Sequence, residues 1–427
     1  MSDATLDATP HDPWAEFDAC DISASTAEDA VAGVVPRWVA RPRTTDEVAA
    51  LLRVAHTHGL AVVARGAGTK QDWGLPPRAL DLVVDTTGLD EVFDYAPFDL
   101  VLRVGAGVTL ETIETRLAEH GQRLGIDPPR RGTIGGTVAT GVTGPMRLAH
   151  LAVRDLVIGM TFVRADGVVA KAGGKVVKNV AGYDVAKLFT GAYGTLGIIT
   201  EVGFRLHPRA EATQWIGGQV PIPQLAQVLG ALAQDQVVPS AVEVDVPVDG
   251  RSSVVVQLDG TAAGLTGRAA RVRELFEGAV GAGAVDTIDT AGAPPGWWGT
   301  EPPGAALLKV THVIGRAAAL AQALREAGDA AGVRVAYRGS PLVGTAWVGV
   351  EGLEGEAGSA AFARFVEEAR AATMRLEGTL TVVSAPPSWR DAVDVWGPVP
   401  GLELMRAVKA QFDPDAVLAP GRFVGGI

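Results

Sequence analysis

The chain has 427 residues, 47% of them apolar and 20% charged, enough to bury a large core and to divide into at least two domains. A formal net charge of -12, with no clustered run of Lys and Arg, excludes a general nucleic-acid binder, because neutralising phosphates needs basic side chains gathered on one face. The single cysteine, Cys20, excludes an internal disulfide and a Cys-ligated iron–sulfur cluster or zinc site within this sequence.

Residues 1–35 are rich in Ala, Asp, Ser and Thr, carry scattered anchors such as Trp14 and Phe17, and read as an N-terminal extension. Met1 to Pro10 are polar and acidic, and no stretch approaches the roughly 18 apolar residues of a membrane span, so a cytoplasmic location is expected. Thr44 with Glu47 makes a capping box, after which Val48, Leu51, Leu52 and Ala55 recur at helical spacing until Gly59. A strand over 60–64 runs straight into Arg65-Gly66-Ala67-Gly68-Thr69-Lys70, and further strands are expected at 80–84 and 100–104. Thr109 can cap a helix with Leu110, Ile113 and Leu117 on one face. The stretch 125–144, dense in Gly, Pro and Thr, reads as a second loop system. Strands over 155–165 and 168–172 meet at Asp166-Gly167, a two-residue hairpin signal, and 188–206 closes the first domain near Pro208. From 209 to 398, Ala- and Leu-rich helices alternate with strands such as 253–258 and 305–313, around a loop, 291–304, that holds Trp297 and Trp298 between prolines. The last segment, 399–427, carries a short helix through Phe412, then Asp413-Pro414 and Pro420-Gly421-Arg422.

Two loops carry the chemistry. Arg65 to Lys70 leaves a strand with glycines spaced so that successive main-chain N–H groups can converge on a phosphate, and Arg65 or Lys70 can add charge to the same anion. The run from Pro128 through Thr133, Ile134, Gly135, Gly136, Ala139 and Thr140 to Gly141 has small side chains and many hydroxyls, suited to wrapping a ribityl chain and phosphates.

These two loops are followed, in order, by Gly182-Tyr183-Asp184, Lys187-Leu188-Phe189 and Gly194-Thr195-Leu196-Gly197-Ile198-Ile199-Thr200. Together they resemble the FAD-binding domain of the vanillyl alcohol oxidase and D-lactate dehydrogenase superfamily, the PCMH type, over about Trp38 to Pro208 and again at 412–423. The resemblance implies an α+β protein with four parts. These are an extension (1–35), a PCMH-type FAD-binding domain of two α/β subdomains (36–208), an α+β cap with an antiparallel sheet (209–398), and a C-terminal segment returning to the FAD domain (399–427). It implies that Arg65, Gly66, Ala67, Gly68 and Thr69 hold the pyrophosphate beside Lys70. Pro128, Thr133, Ile134, Gly135, Gly136, Ala139, Thr140 and Gly141 would then line the FAD toward the isoalloxazine, and Ile199 would contact the adenine side. Gly68 to Pro77 and Lys178 to Asp184 are similar to FAD-binding subunits of bacterial glycolate oxidases, which implies a related flavin subunit and an iron–sulfur subunit as partners. Such a complex oxidises glycolate, a 2-hydroxy acid, to glyoxylate with a non-oxygen acceptor, and any membrane association would be peripheral, through partners.

Thr69 stands where covalent members of the superfamily have a histidine, so the FAD is expected to be held without a covalent bond. The cap has a single histidine, His312, where catalytic D-hydroxyacid dehydrogenases carry several, so this chain is expected to relay electrons or support a partner. A stand-alone flavin oxidoreductase acting on another hydroxy acid or alcohol, and a non-catalytic scaffold, stay open as alternatives. Lys178, Asn179, Tyr183 and Asp184 either adjust the flavin potential or brace their loop. Other motifs fail: Gly105-Ala106-Gly107 lacks the third glycine of a dinucleotide fingerprint, Gly174-Lys175 is no P-loop, and His56 and His58 do not share a helix face. No metal site is expected, and no catalytic residue is assigned.

Overall fold

The computed structural model describes residues 13–174, 184–249, 251–281, 287–290, 293–352 and 355–427, with the main chain alone for 287–290. The first domain contains two main sheets and a short pairing of Gln122–Arg123 with His207–Pro208. One has β1 (Asp21–Ala24), β2 (Trp38–Arg41), β3 (Val62–Arg65) and β4 (Leu82–Asp85) in the order β1-β2-β4-β3. Its β2, β4 and β3 are parallel, and their near-continuous apolar residues are buried, as strands covered on both faces require. The other has β5 (Val92–Ala96), β6 (Val101–Gly105), β7 (Val157–Val163), β8 (Val169–Gly173) and β9 (Ile198–Arg205) in the antiparallel order β5-β6-β9-β7-β8. Gly167, at a φ of +76°, makes the tight turn from β7 to β8.

Helix α1 (Thr45–Thr57) starts where the Thr44 side chain accepts from the Glu47 N–H, and its Val48, Leu51, Leu52 and Ala55 are buried. That face joins Ala40, Val62 and Leu82 of the first sheet to Met160, Phe162 and Val202 of the second in one core. Helix α2 (Leu110–Ala118) is capped by Thr109 in the same way. The second loop system is only partly a loop: 134–140 form α3 (Ile134–Thr140), with Thr133 as its cap and Gly141 closing it at a φ of +61°. Glycines usually disfavour a helix, but here tertiary packing decides.

From residue 13 onward the N-terminal extension packs against the first domain. Strand β1 pairs antiparallel with β2, and Trp14 packs edge-on against Phe17 and Trp38 inside the core of the first domain.

The cap is built on one eight-stranded sheet: β10 (Ala212–Val220), β11 (Ala241–Val246), β12 (Ser252–Gly260), β13 (Thr287–Thr290), β14 (Ala306–Thr311), β15 (Arg334–Ser340), β16 (Thr345–Glu351) and β17 (Thr379–Ser384). Their order is β13-β10-β12-β11-β15-β16-β14-β17, antiparallel throughout. Four helices, α4 (Ile222–Gln234), α5 (Ala262–Val280), α6 (Ala317–Ala331) and α7 (Gly355–Arg375), cover one face, where Val242, Val244, Val254, Val256, Tyr337, Val348 and Val350 join the cap core. Strand alternation puts Glu243, Asp245, Arg338, Ser340, Lys309 and Trp347 on the other face. That face carries charge because it looks onto the first domain, not into a core.

The C-terminal segment returns to the first domain. After α8 (Leu402–Phe412), residues 417–419 run beside β3, the Val62 N–H donating to Val417 O at 2.8 Å and the Ala419 N–H to Val62 O at 2.7 Å. Lys409 holds this return. Its ammonium donates to Thr195 O, Leu418 O and the buried Asp413 carboxylate, which also accepts from the Val417 and Leu418 N–H groups. Asp413→Ala would leave that ammonium buried without its charge partner. It should cost about 3 kcal/mol or more, read by circular dichroism as a fall of roughly 6–12 °C in the thermal midpoint of the first domain.

Candidate cofactor cleft

Where β3 ends at Arg65 the chain turns at once, and Gly68 takes a φ of +71°, a left-handed conformation that favours glycine. The neighbouring Gly66 is needed for space. A Cβ there would sit 2.0 Å from Thr133 Oγ1, the atom that accepts the Gly136 N–H and caps α3. Likewise, a Cβ at Gly135 would sit 2.7 Å from the Ala106 Cβ, just beyond β6. Small residues thus let the β3 turn, α3 and the end of β6 close on one another. Between them lies an open cleft of about 800 Å³, lined by both loops, by Thr86 and Ala106, by 193–194 and 197–199, and by Arg422 from the C-terminal segment.

Two cations reach this cleft. The Lys70 ammonium donates to Arg130 O at 2.5 Å and Thr69 Oγ1 at 3.2 Å, and burial, with Arg130 nearby, lowers its pKa to about 8. Arg422 donates to Trp73 O at 2.8 Å and to Gln71 O, and burial lowers its pKa to about 10. Tyr193, at a φ of +55°, closes the far wall, its ring against Phe423 and Trp396 and its phenol pKa raised by burial.

Of the residues singled out in the sequence, Gly66, Ala67, Gly68, Thr69, Lys70, Thr133, Gly135, Gly136, Ala139, Thr140 and Ile199 line the cleft together. Four do not. The Arg65 guanidinium is taken by Asp29 at 2.9 Å and Asp85 at 3.2 Å, so its charge braces the first sheet. Pro128 is buried beside the cleft, Ile134 lies in the core, and Gly141 packs against Gly191. Lys178, Asn179 and Tyr183 lie outside the described residues, and Asp184 pairs with Lys187 at 3.0 Å on the surface. Tyr193 and Arg422 went unnoticed as lining residues. Arg422 had no local signal, since it arrives from the opposite end of the chain.

Above the cleft, Arg130 ties the loops to the cap. Its guanidinium binds Asp72 at 2.8 Å and Glu301 of the cap at 2.8 Å, and Asp72 accepts from Ser384 of β17 at 2.7 Å. Trp73 packs against Trp347 of β16, the rings tilted at 48° with centroids 5.6 Å apart.

The lining fits a dinucleotide with a flavin. Glycine amides, threonine hydroxyls and two cations suit a diphosphate and polyol, no bulky side chain crosses the floor, and no histidine or cysteine, the side chains most ready to bond a flavin, is among the lining residues. Comparison with known proteins gives the same answer. Residues 36–173 match the family model described as "FAD binding domain". The glycolate oxidase subunit GlcE of Escherichia coli is 35% identical over 181 residues, 42% of this chain and 50% of that protein. The glycolate oxidase subunit GlcD of Bacillus subtilis is 32% identical over 213 residues, 49% of this chain and 45% of that protein. D-lactate dehydrogenase of Archaeoglobus fulgidus is 30% identical over 200 residues, 46% of this chain and 44% of that protein. The chain spans half the length, or less, of these relatives. An alkyldihydroxyacetonephosphate synthase structure aligns with a TM-score of 0.67 at 14% identity, covering 90% of this chain and 76% of that one, and so shares the fold.

Gly66→Val should therefore fold but purify without flavin, because the new side chain occupies the space where the β3 turn meets Thr133. The ratio of flavin to protein absorbance, with a far-ultraviolet spectrum as the control for folding, measures this.

Proposed function

We propose, from the match of residues 36–173 to a family model described as an FAD binding domain, that the chain is the FAD-carrying subunit of a complex that oxidises glycolate to glyoxylate and delivers the electrons to an acceptor other than oxygen. One observation carries this reading: both glycine-rich loops line a single cleft, which Lys70 and Arg422 also line. In it, the main-chain amides of 66–70 take the diphosphate, with Lys70 and Arg422 supplying positive charge. Thr133 and Thr140 offer hydroxyls to the ribityl chain, and Ile199 lies toward the adenine. FAD, when bound, supplies two-electron redox chemistry. The cofactor is held without a covalent bond, a reading supported by Thr69 and by the other lining residues.

The cap supports a relaying or accessory role. Its one histidine, His312, is buried, with Nδ1 at 3.0 Å from Val313 O and Nε2 at 3.3 Å from the Tyr337 hydroxyl, so its ring is engaged within the cap. Among the described residues, no group of three or more His, Cys, Asp or Glu is placed to hold a metal. A related flavin subunit and an iron–sulfur subunit are the partners this reading requires. Trp297 lies tilted against Trp298, with centroids 6.2 Å apart, and under the Arg338 guanidinium at 5.8 Å, within the cap. A second reading, a stand-alone oxidoreductase acting on a hydroxy acid, is favoured by one feature: a polar cavity between cap and first domain.

Anaerobic glycolate added to the purified, flavin-loaded chain should leave the flavin absorbance unchanged, whereas the same addition to the chain assembled with its partner subunits should bleach it. Bleaching of the chain alone would favour the stand-alone reading. Lys70 adds a pH dependence. Its ammonium is mostly charged at pH 7 and loses its proton as the pH rises through about 8, so FAD affinity should fall above pH 8, and Lys70→Arg should remove that fall.

A further inference from the structure

Tyr193 carries a group that its packing does not account for. Its φ of +55°, between Gly191 at +85° and Gly194 at +76°, is one that glycine would take without strain. The turn is pinned to α3, the Gly191 N–H donating to Val138 O at 3.0 Å and the Tyr193 N–H to Ala139 O at 2.9 Å. The ring therefore stands at the C-terminal end of α3, opposite the Thr133 cap, with the Phe423 centroid at 5.3 Å and that of Trp396 at 5.9 Å. A phenylalanine would fill that place equally well. The hydroxyl is left over: Tyr193 lines the cofactor cleft, its oxygen makes no hydrogen bond to a described residue, and that oxygen is not sealed in the core.

Two charges act on this phenol. The larger effect comes from the Arg422 guanidinium, which donates to Gln71 O and Trp73 O and has no carboxylate within ion-pair distance among the described residues. Asp72 acts less, its carboxylate being held by Arg130 and Ser384. A guanidinium offers donors only, so it draws the phenol's lone pairs and turns the O–H proton away, toward the cleft. Burial raises the phenol's pKa, which keeps that proton in place at neutral pH. At the other end of α3, a Cβ at Gly66 would meet Thr133 and one at Gly132 would meet Thr69, so the 66–70 turn crowds the Thr133 end. A diphosphate held by that turn leaves the flavin ring to reach the Ala139 end.

We propose that Tyr193 is a cofactor-binding residue whose hydroxyl donates a hydrogen bond to a carbonyl oxygen of the flavin ring. The ring carbonyls accept and cannot donate, which matches a partner whose proton points outward, whereas ribityl hydroxyls do both. This assignment rests on the reading of the cleft as the FAD site and names a residue that fixes the ring within it.

The test is vibrational spectroscopy of the full-length protein loaded with FAD that carries carbon-13 at one or other ring carbonyl, so that the two stretches are told apart. Tyr193→Phe removes the hydroxyl and keeps the ring against Phe423 and Trp396, so its far-ultraviolet spectrum and thermal midpoint should match the wild type. One labelled carbonyl stretch should move to higher frequency, and FAD should bind about fivefold more weakly, the loss expected for one hydrogen bond. Trp396→Phe alters the packing behind the ring but keeps the hydroxyl, and should move neither stretch. Unshifted carbonyl stretches in flavin-loaded Tyr193→Phe, or an equal shift in Trp396→Phe, would overturn the proposal while leaving the FAD site in place. A folded wild-type chain that binds no FAD would overturn the proposal and the cofactor reading together.

Discussion

The structure depends on close approaches made where side chains are missing, main chain against main chain or against a short side chain. At Gly66 and Gly135 a single added carbon would collide with Thr133 or Ala106, and at Gly107 it would fall 2.3 Å from Thr86 O. Three elements from distant parts of the first domain can therefore close around a common space. Interiors are packed densely enough that one methyl cannot be absorbed at such points. The cleft's shape is thus written in absences, and its chemistry in the hydroxyls and two cations that border it.

A second constraint links cofactor cleft and cap. Arg130 touches Thr69 O and Asp72 in the first domain and Glu301 in the cap, while Lys70 donates back to the Arg130 carbonyl. The same Glu301 supplies its main-chain oxygen to Arg338 at the cap cavity. A displacement of the 65–70 turn is therefore felt within two side chains at the sheet face opposite. The C-terminal return adds a third tie, since Arg422 binds the carbonyls of Gln71 and Trp73 and lines the cleft from a residue far away in sequence.

Much of this was legible from local patterns. The capping threonines at 44 and 109, the hairpin at Asp166-Gly167 and the apolar faces of α1 and α2 follow from period and cap chemistry alone, and all appear. The two loops were legible because glycine spacing is a steric requirement. Three things were not. The N-terminal strand β1 is only four residues long and mostly exposed, and it pairs with β2 beside the buried Trp14. The helical state of 134–140 runs against the propensity of its glycines. Arg65 was read as a phosphate ligand because charge beside a glycine turn suggests one. Its partners Asp29 and Asp85 could be found only in three dimensions. Buried Glu243 and Arg338 were also silent in the sequence, since a single charged residue in a strand does not say which face it occupies.

The central claim is that one FAD lies, without a covalent bond, between the β3 turn and α3. A crystal structure of the flavin-loaded protein tests it most directly. Continuous density is expected for the dinucleotide along 66–70 and 133–140, with the diphosphate within reach of Lys70 and a break in density between the flavin ring and every side chain. Density for the cofactor elsewhere, or a bridge from the ring to a protein atom, would contradict it.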